Sequence, residues 1–286
     1  MSKVSDSLVS AKALISAGEG KVVRKKNGFA DSGLLPIVVF FLLWEAFSRL
    51  NGIFSFFNPI FLPPPSAIVM EAWYLAETGL ITSSIAASTV RIVAGFVIGL
   101  VCAIAVGVLM NKYKQVDYWL SPILNLLGPI PALALLPIFI IWFGIGEFPK
   151  VLLIAWTTFV PVLTNTLDGL KSVNPTLIRS ALSLGASERH IFFKVILPSA
   201  IPSIFVGAQV SLGLGFSSLI VSEMMGAKSG LGYIIVDARN YFKMSNMFVA
   251  IVIIGLEFSL FSYLLKRLES KIVTWRKNGM RSAVEK

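Results

Sequence analysis

The stretch "RSALSLGASERHIFFKVILPSAIPS", Arg179–Ser203, is polar and helix-forming, yet it lies between long apolar segments. It carries four charged residues, the chain's only histidine and two prolines. Its local chemistry reads as two short helices. Asn174 is a good N-cap, and Pro175 at the first helical position loses no needed hydrogen bond. Leu177, Ile178, Ala181 and Leu182 form one apolar stripe. Gly185 can take the left-handed conformation that ends a helix. Ser187 caps a second helix with Ile191, Phe192, Val195 and Ile196 on one face. Pro198 and Pro202 are expected to break or kink the chain where the next apolar segment begins. A helix-glycine-helix with one apolar side reads either as a plain connector or as a docking element for a soluble partner.

What surrounds it is a membrane protein. Of the 286 residues, 56% are hydrophobic and 14% charged, against roughly 25% charged in soluble domains. That length accommodates about five to seven bilayer spans of ~20 residues. Apolar runs of spanning length fall at about 34–50, 84–110, 120–143, 150–170, 199–222 and 247–265. Six helices are therefore predicted, and an open sheet is excluded because unpaired backbone groups cannot face lipid. Residues 1–33 read as an N-terminal tail, 34–270 as the transmembrane domain with its core at about 84–270, and 271–286 as a C-terminal tail. No secretory signal is expected, since the first 30 residues are polar.

Lysine and arginine set the orientation. The N-terminal tail holds six, the 111–119 loop two, the 171–198 loop four and the segment from Lys266 to the end seven, together 19 of the 25. No basic residue occurs from Asn51 to Val90. By the positive-inside rule both termini and the 171–198 loop are cytoplasmic. The net charge of +10 is then a topology signal, and no nucleic-acid partner is expected. One cysteine, Cys102, and one histidine, His190, make neither a disulfide nor a metal cluster, so no metal site is expected.

The hairpin also carries a resemblance. Gly185, nine residues, Val195, one residue and then Leu197-Pro198 resemble the cytoplasmic "EAA" loop of binding-protein-dependent ABC importer permeases. The family's Glu-Ala-Ala falls on Arg179-Ser180-Ala181, so only the second alanine is kept and the acidic first position is absent. "FLPPPSAI" (61–68), "RIVAGFVIG" (91–99), "GPIPALALLPIFIIWFGIG" (128–146), "NTLDGLKSVNP" (165–175) and "SEMMGAKSGLGYIIVDARN" (222–240) look, in order and spacing, like the subgroup that moves sulfonates, taurine, nitrate or bicarbonate. The resemblance implies an all-α membrane protein with the six-helix fold of type I importer permeases and a coupling helix between helices 4 and 5. It implies a non-enzymatic pore subunit in a prokaryotic cell membrane, paired as a homodimer. Its partners would be an ABC ATPase and an extracytoplasmic solute-binding protein. Arg179, Ala181, Leu182, Gly185, Ala186, Leu197 and Pro198 are the implied ATPase-docking positions. The chain has no G-x-x-x-x-G-K-[ST] loop, so it is expected to bind no cofactor itself and to leave ATP-Mg to the ATPase subunit.

Other residues have two readings. Gly95, Gly99, Ala103 and Gly107 recur every four residues and read as a face for close helix packing. Pro129, Pro131 and Pro137 break the third span, which either lines the pathway or bends for packing. Glu45 and Arg49 are spaced for an intrahelical pair. Arg91, about 10 Å inside the second span, either snorkels outward or faces a cavity and attracts an anion. Glu257 near the middle of the last span should face protein or water. Glu223 is a further candidate for the pathway. After it, Ile234, Ile235, Ala238 and Tyr241 read as a short amphipathic helix at the outer interface, serving as a gate, a landing surface or packing. A secondary transporter or channel is the alternative, but no internal repeat or paired intramembrane acids support it. A membrane enzyme would need clustered catalytic residues that the sequence lacks.

The topology is directly testable. Cysteines placed at Glu77 and Ser187, in a Cys102→Ala background, are expected to react from opposite sides of intact cells with an impermeant thiol reagent. Equal labelling of the two would rule out the six-helix arrangement.

Overall fold

A computed structural model describes residues 34–274, and all regular structure among them is helical. The predicted tail at 1–33 and residues 275–286 lie outside the described residues. Two units divide at Phe54. The first contributes α1 (Leu34–Phe54), whose 21 residues span about 32 Å. Most of its large apolar side chains are exposed, as expected of a helix facing lipid. Glu45 and Arg49 form the expected pair at 2.7 Å.

The second unit holds α2 (Pro65–Glu77), α3 (Leu80–Lys112), α4 (Lys114–Leu127), α5 (Leu136–Phe143) and α6 (Glu147–Lys171). It continues with α7 (Pro175–Ser183), α8 (Glu188–Ile191), α9 (Leu197–Met224), α10 (Leu231–Asn240) and α11 (Met244–Ile272). Helix α6 is the centre of the packing, with α3 on one side and α9 on the other. In lipid there is no hydrophobic drive to join apolar helices, so close van der Waals contact must do it. The small-residue face of α3 supplies that contact. A Cβ on Gly95 would stand 2.5 Å from Ile154 Cβ, and one on Gly107 would stand 2.8 Å from Thr166 Cγ2. On Gly99 it would collide with the Ala155 carbonyl oxygen. Across α6, Gly207 of α9 lies as close to Asn165, and Gly169 of α6 lies as close to Ser203. Ile92, Ile154, Leu212, Phe216 and Leu219 fill the core where the three helices and α11 meet.

The structure fits the six-helix reading with one broken span, takes up the packing reading of the outer amphipathic helix, and corrects the break expected at Pro198. Five helices are long and apolar enough to cross a membrane, and a sixth crossing exists only if α4 and the 132–143 segment count as one. Those two pieces are bent by 92°. The bend falls at Pro129 and Pro131, which lack amide hydrogens to continue the helical ladder, and Pro131 itself leaves the helical region at ψ 121°. Pro198 does not break the fifth span. Helix α8 passes through a π-helical turn, Phe192–Ile196, into α9, and the Leu197 amide donates to the Phe192 carbonyl. The wider turn makes room for a proline ring beside the preceding turn. The outer amphipathic helix is α10, but Leu231, Ile234 and Ala238 are buried against its neighbours, while Tyr241 lies exposed beyond its end. Its apolar face is therefore spent on protein rather than lipid. Finally, α2 went unread in the sequence: it opens on Pro65, the last of three consecutive prolines, and turns only Ile68 and Leu75 fully inward.

The α3–α6 contact leaves no room for a side chain. Gly99→Val is expected to lower stability by about 1–3 kcal/mol or more through overpacking. Gly255→Ala, where a Cβ meets nothing within 4 Å, should be neutral or stabilising by up to about 1 kcal/mol. Thermal unfolding of the two variants in detergent measures both.

Candidate functional site

Two polar assemblies stand at opposite ends of α6, whose 25 residues separate them by about 36 Å. The first is the hairpin that follows Lys171. The Asn174 side chain accepts a hydrogen bond from the Thr176 amide at 2.9 Å, and Pro175 opens α7 as expected. The helix ends on Gly185 at φ +78°. There the Gly185 amide donates to the Leu182 carbonyl at 2.9 Å and the Ala186 amide to the Ala181 carbonyl at 3.1 Å. These two bonds are the reciprocal pair of a Schellman turn. Ala181, Leu182, Gly185 and Ala186, singled out by resemblance, are thus joined by one helix-ending motif. The Ser187 hydroxyl then accepts from the His190 amide at 3.3 Å to start α8.

Buried Val173 and Ile191 tie the hairpin to the helical body. Between them Ile178 and Ala181 of the apolar stripe are half-buried, and its other two members, with Leu184 beyond, are left uncovered by the described residues. Leu177 is 52% exposed, Leu182 53% and Leu184 87%. Arg179 is exposed, and Ala186, Leu197 and Pro198 are half-buried at the far side of the turn. His190 is exposed, and the described residues contain no group of three or more metal-ligating side chains.

The second assembly is a buried ion network near the opposite end. Arg91 of α3 is 4% exposed. Its guanidinium donates twice to Glu147, at 2.5 Å and 2.9 Å. It also donates to Glu223 at 2.8 Å and to the Ser229 carbonyl at 2.7 Å. Glu223, 1% exposed, accepts in addition from the Ser88 hydroxyl at 2.7 Å and the Gly232 amide at 2.9 Å. Lys150 reaches Glu147 at 3.0 Å. Two cations meet two carboxylates, and each buried charge is hydrogen-bonded, which is the condition for burying them at all. Gly230, at φ +126°, is required there, because a Cβ would sit 2.5 Å from the Glu223 carboxyl.

This arrangement overturns two readings of Arg91. It does not snorkel, and its charge is taken by internal partners instead of facing an open cavity. Glu223 is likewise enclosed, so neither residue lines an open path in this conformation. Pro129 and Pro131, by contrast, are exposed at the bend of the broken span. Glu147 was missed in the sequence. Its only signal was a lone acid directly after Gly144-Ile145-Gly146, at the start of a span where a helix dipole favours negative charge. Glu257 faces protein: its Oε1 accepts from Thr89 at 2.5 Å, while its buried Oε2 has no hydrogen-bond partner among the described residues.

Comparison with known proteins bears on the chain as a whole. The family model "Binding-protein-dependent transport system inner membrane component" matches residues 95–273. A putative aliphatic sulfonates transport permease protein of Bacillus subtilis is 35% identical over 253 residues, 88% of this chain and 90% of that one. The taurine transport system permease protein of Escherichia coli is 34% identical over 244 residues, 84% and 87% of the two chains. In fold, the chain is similar to a solved inward-facing MetNI methionine ABC transporter, with a TM-score of 0.56 and 21% identity over 68% of this chain and 96% of that one.

Removing one member of the network should expose its coupling. Arg91→Gln leaves Glu223 buried beside no cation and is expected to cost about 3–5 kcal/mol. Adding Glu223→Gln should restore part of that loss. Thermal unfolding of the single and double variants checks this, and simply additive losses would show that the two residues are not coupled.

Proposed function

The chain belongs to the binding-protein-dependent transport system inner membrane components, the multi-pass permeases of ABC importers, and we propose that it couples passage of a small organic anion to ATP hydrolysis in a separate subunit. In this reading α7 is the coupling helix. It seats in a cleft of a cytoplasmic ABC ATPase, which binds ATP-Mg. An extracytoplasmic solute-binding protein delivers the substrate, and two copies of this chain form the pathway between them. Both termini lie in the cytoplasm. The substrate class is sulfonate-like, by similarity to relatives named for aliphatic sulfonates and taurine.

The observation that carries the coupling role is the uncovered part of the apolar stripe of α7, held out on a capped, glycine-ended turn. An apolar face that no part of the described chain covers is suited to a protein partner. The hairpin is mechanically suited too. It joins α6 directly to the continuous α8–α9 rod, so force on α7 is passed to both helices. Pro129 and Pro131 are proposed to line the pathway, since exposed, broken backbone at membrane depth is tolerated against water or protein, not lipid.

The test is at Gly185 and Leu182. Gly185→Val places a β-branched residue at positive φ, and Leu182→Asp puts a charge on the docking stripe. Both proteins are expected to insert and dimerise. Each should either lose the ATPase on purification or retain it with hydrolysis uncoupled from uptake. Normal copurification together with normal uptake in both variants would make the hairpin a connector and sink the assignment.

A further inference from the structure

Against the second arm of the hairpin, where α8 runs into the π turn, lies a cavity of about 720 Å³. That is within the ~300–1,000 Å³ of ordinary ligand sites. It is walled by the last turns of α3 and by the α8–π segment, which comes from a distant part of the sequence. Its two ends differ in chemistry. One is apolar, made by Leu109, Phe192, Phe193 and Ile196. The other carries Lys112 and Arg189, with Glu188 beside them.

Neither basic residue forms an ion pair among the described residues. Lys112 instead stands 5.1 Å over the ring of Tyr113. Two cations against one carboxylate leave the polar end with a net charge of about +1 at neutral pH. Leu109 of the apolar end is exposed on α3, as are Val97 and Val101 on earlier turns of the same helix. In a bilayer those side chains meet hydrocarbon. A soluble anion would leave the apolar wall wet. An amphiphile with an anionic head fills both ends.

We propose that this cavity binds one anionic phospholipid, its phosphate between Lys112 and Arg189 and an acyl chain along Leu109 and Phe193. The proposal rests on the cytoplasmic placement of the 171–198 loop, because basic pockets between spanning helices on that face are where anionic headgroups are held. The bound lipid would brace α8 against the end of α3, next to the hairpin that meets the ATPase. It thereby ties the stiffness of the coupling element to the charge of the inner leaflet.

The experiment is native mass spectrometry of the full-length chain copurified with its ATPase in detergent. Phosphatidylglycerol and phosphatidylcholine are titrated separately. Wild type should retain phosphatidylglycerol in preference to phosphatidylcholine. Lys112→Gln with Arg189→Gln should weaken phosphatidylglycerol by about fivefold per residue, so about 25-fold together. It should leave phosphatidylcholine unchanged. Leu109→Trp, which fills the apolar end without touching charge, should weaken both lipids. Equal retention of the two lipids by wild type would overturn the proposal. So would unchanged phosphatidylglycerol binding in the double variant, or loss of the ATPase from it with the lipid still bound. Lipid retention is read on purified protein, so it stands or falls separately from uptake and from hydrolysis.

Discussion

The close approach of α6 to α3 and α9 is the constraint on which the rest depends. In water, apolar side chains would drive these helices together; in lipid that gain is absent, and only tight packing remains. Gly95, Gly99 and Gly107 on α3 and Gly207 on α9 let backbone meet backbone or side-chain stem. The consequence is a rigid three-helix slab, with α6 enclosed over much of its length. Rigidity matters because a permease must move as packed bodies if work done at one face is to be felt at the other.

The ion network extends that slab. Arg91 gathers α3, the start of α6, the end of α9 and the loop before α10 around one guanidinium. Arginine suits the position because its planar fork serves several acceptors at once and keeps its charge in a buried site. Each carboxylate has its own supporting donors, Lys150 for Glu147 and the Ser88 hydroxyl and Gly232 amide for Glu223. The network therefore joins element ends that are far apart in sequence, at the end of α6 remote from the hairpin. Glu147 is the part nearest solvent, with 63% of its side chain exposed. It also follows directly on the Gly144–Gly146 link from the broken span, so the pinned slab and the bent segment meet there.

At the other end the design is different. The hairpin is held by backbone geometry, a Schellman turn and two side-chain caps, and by few buried contacts. Such an element keeps its shape while leaving part of its apolar face free. The unbroken run from α8 through the π turn into α9 gives it a long lever into the core. In the proposed mechanism this is the route by which closure of an ATPase would reach the packed slab, and in the further proposal a lipid braces the same lever.

Much of this was legible in the sequence because it depends on local physics. Span length, the Asn174 and Ser187 caps, the Gly185 turn and the small-residue face of α3 each need only a few neighbouring residues to be read. Family membership was legible in the order of several motifs. What sequence alone left open concerned partners that lie far along the chain. Nothing local distinguishes an Arg91 that snorkels from one that meets Glu147, 56 residues away, and Glu223, 132 residues away. The apolar face of α10 is the same whether lipid or α11 covers it, and a proline reads as a break unless a π turn makes room for it. The sequence determined which segments are helices, where they end and which faces are apolar, because backbone hydrogen bonding and side-chain pattern are local. The tertiary structure decided what each buried charge and each apolar face would meet, because that depends on how helices are placed beside one another after they form.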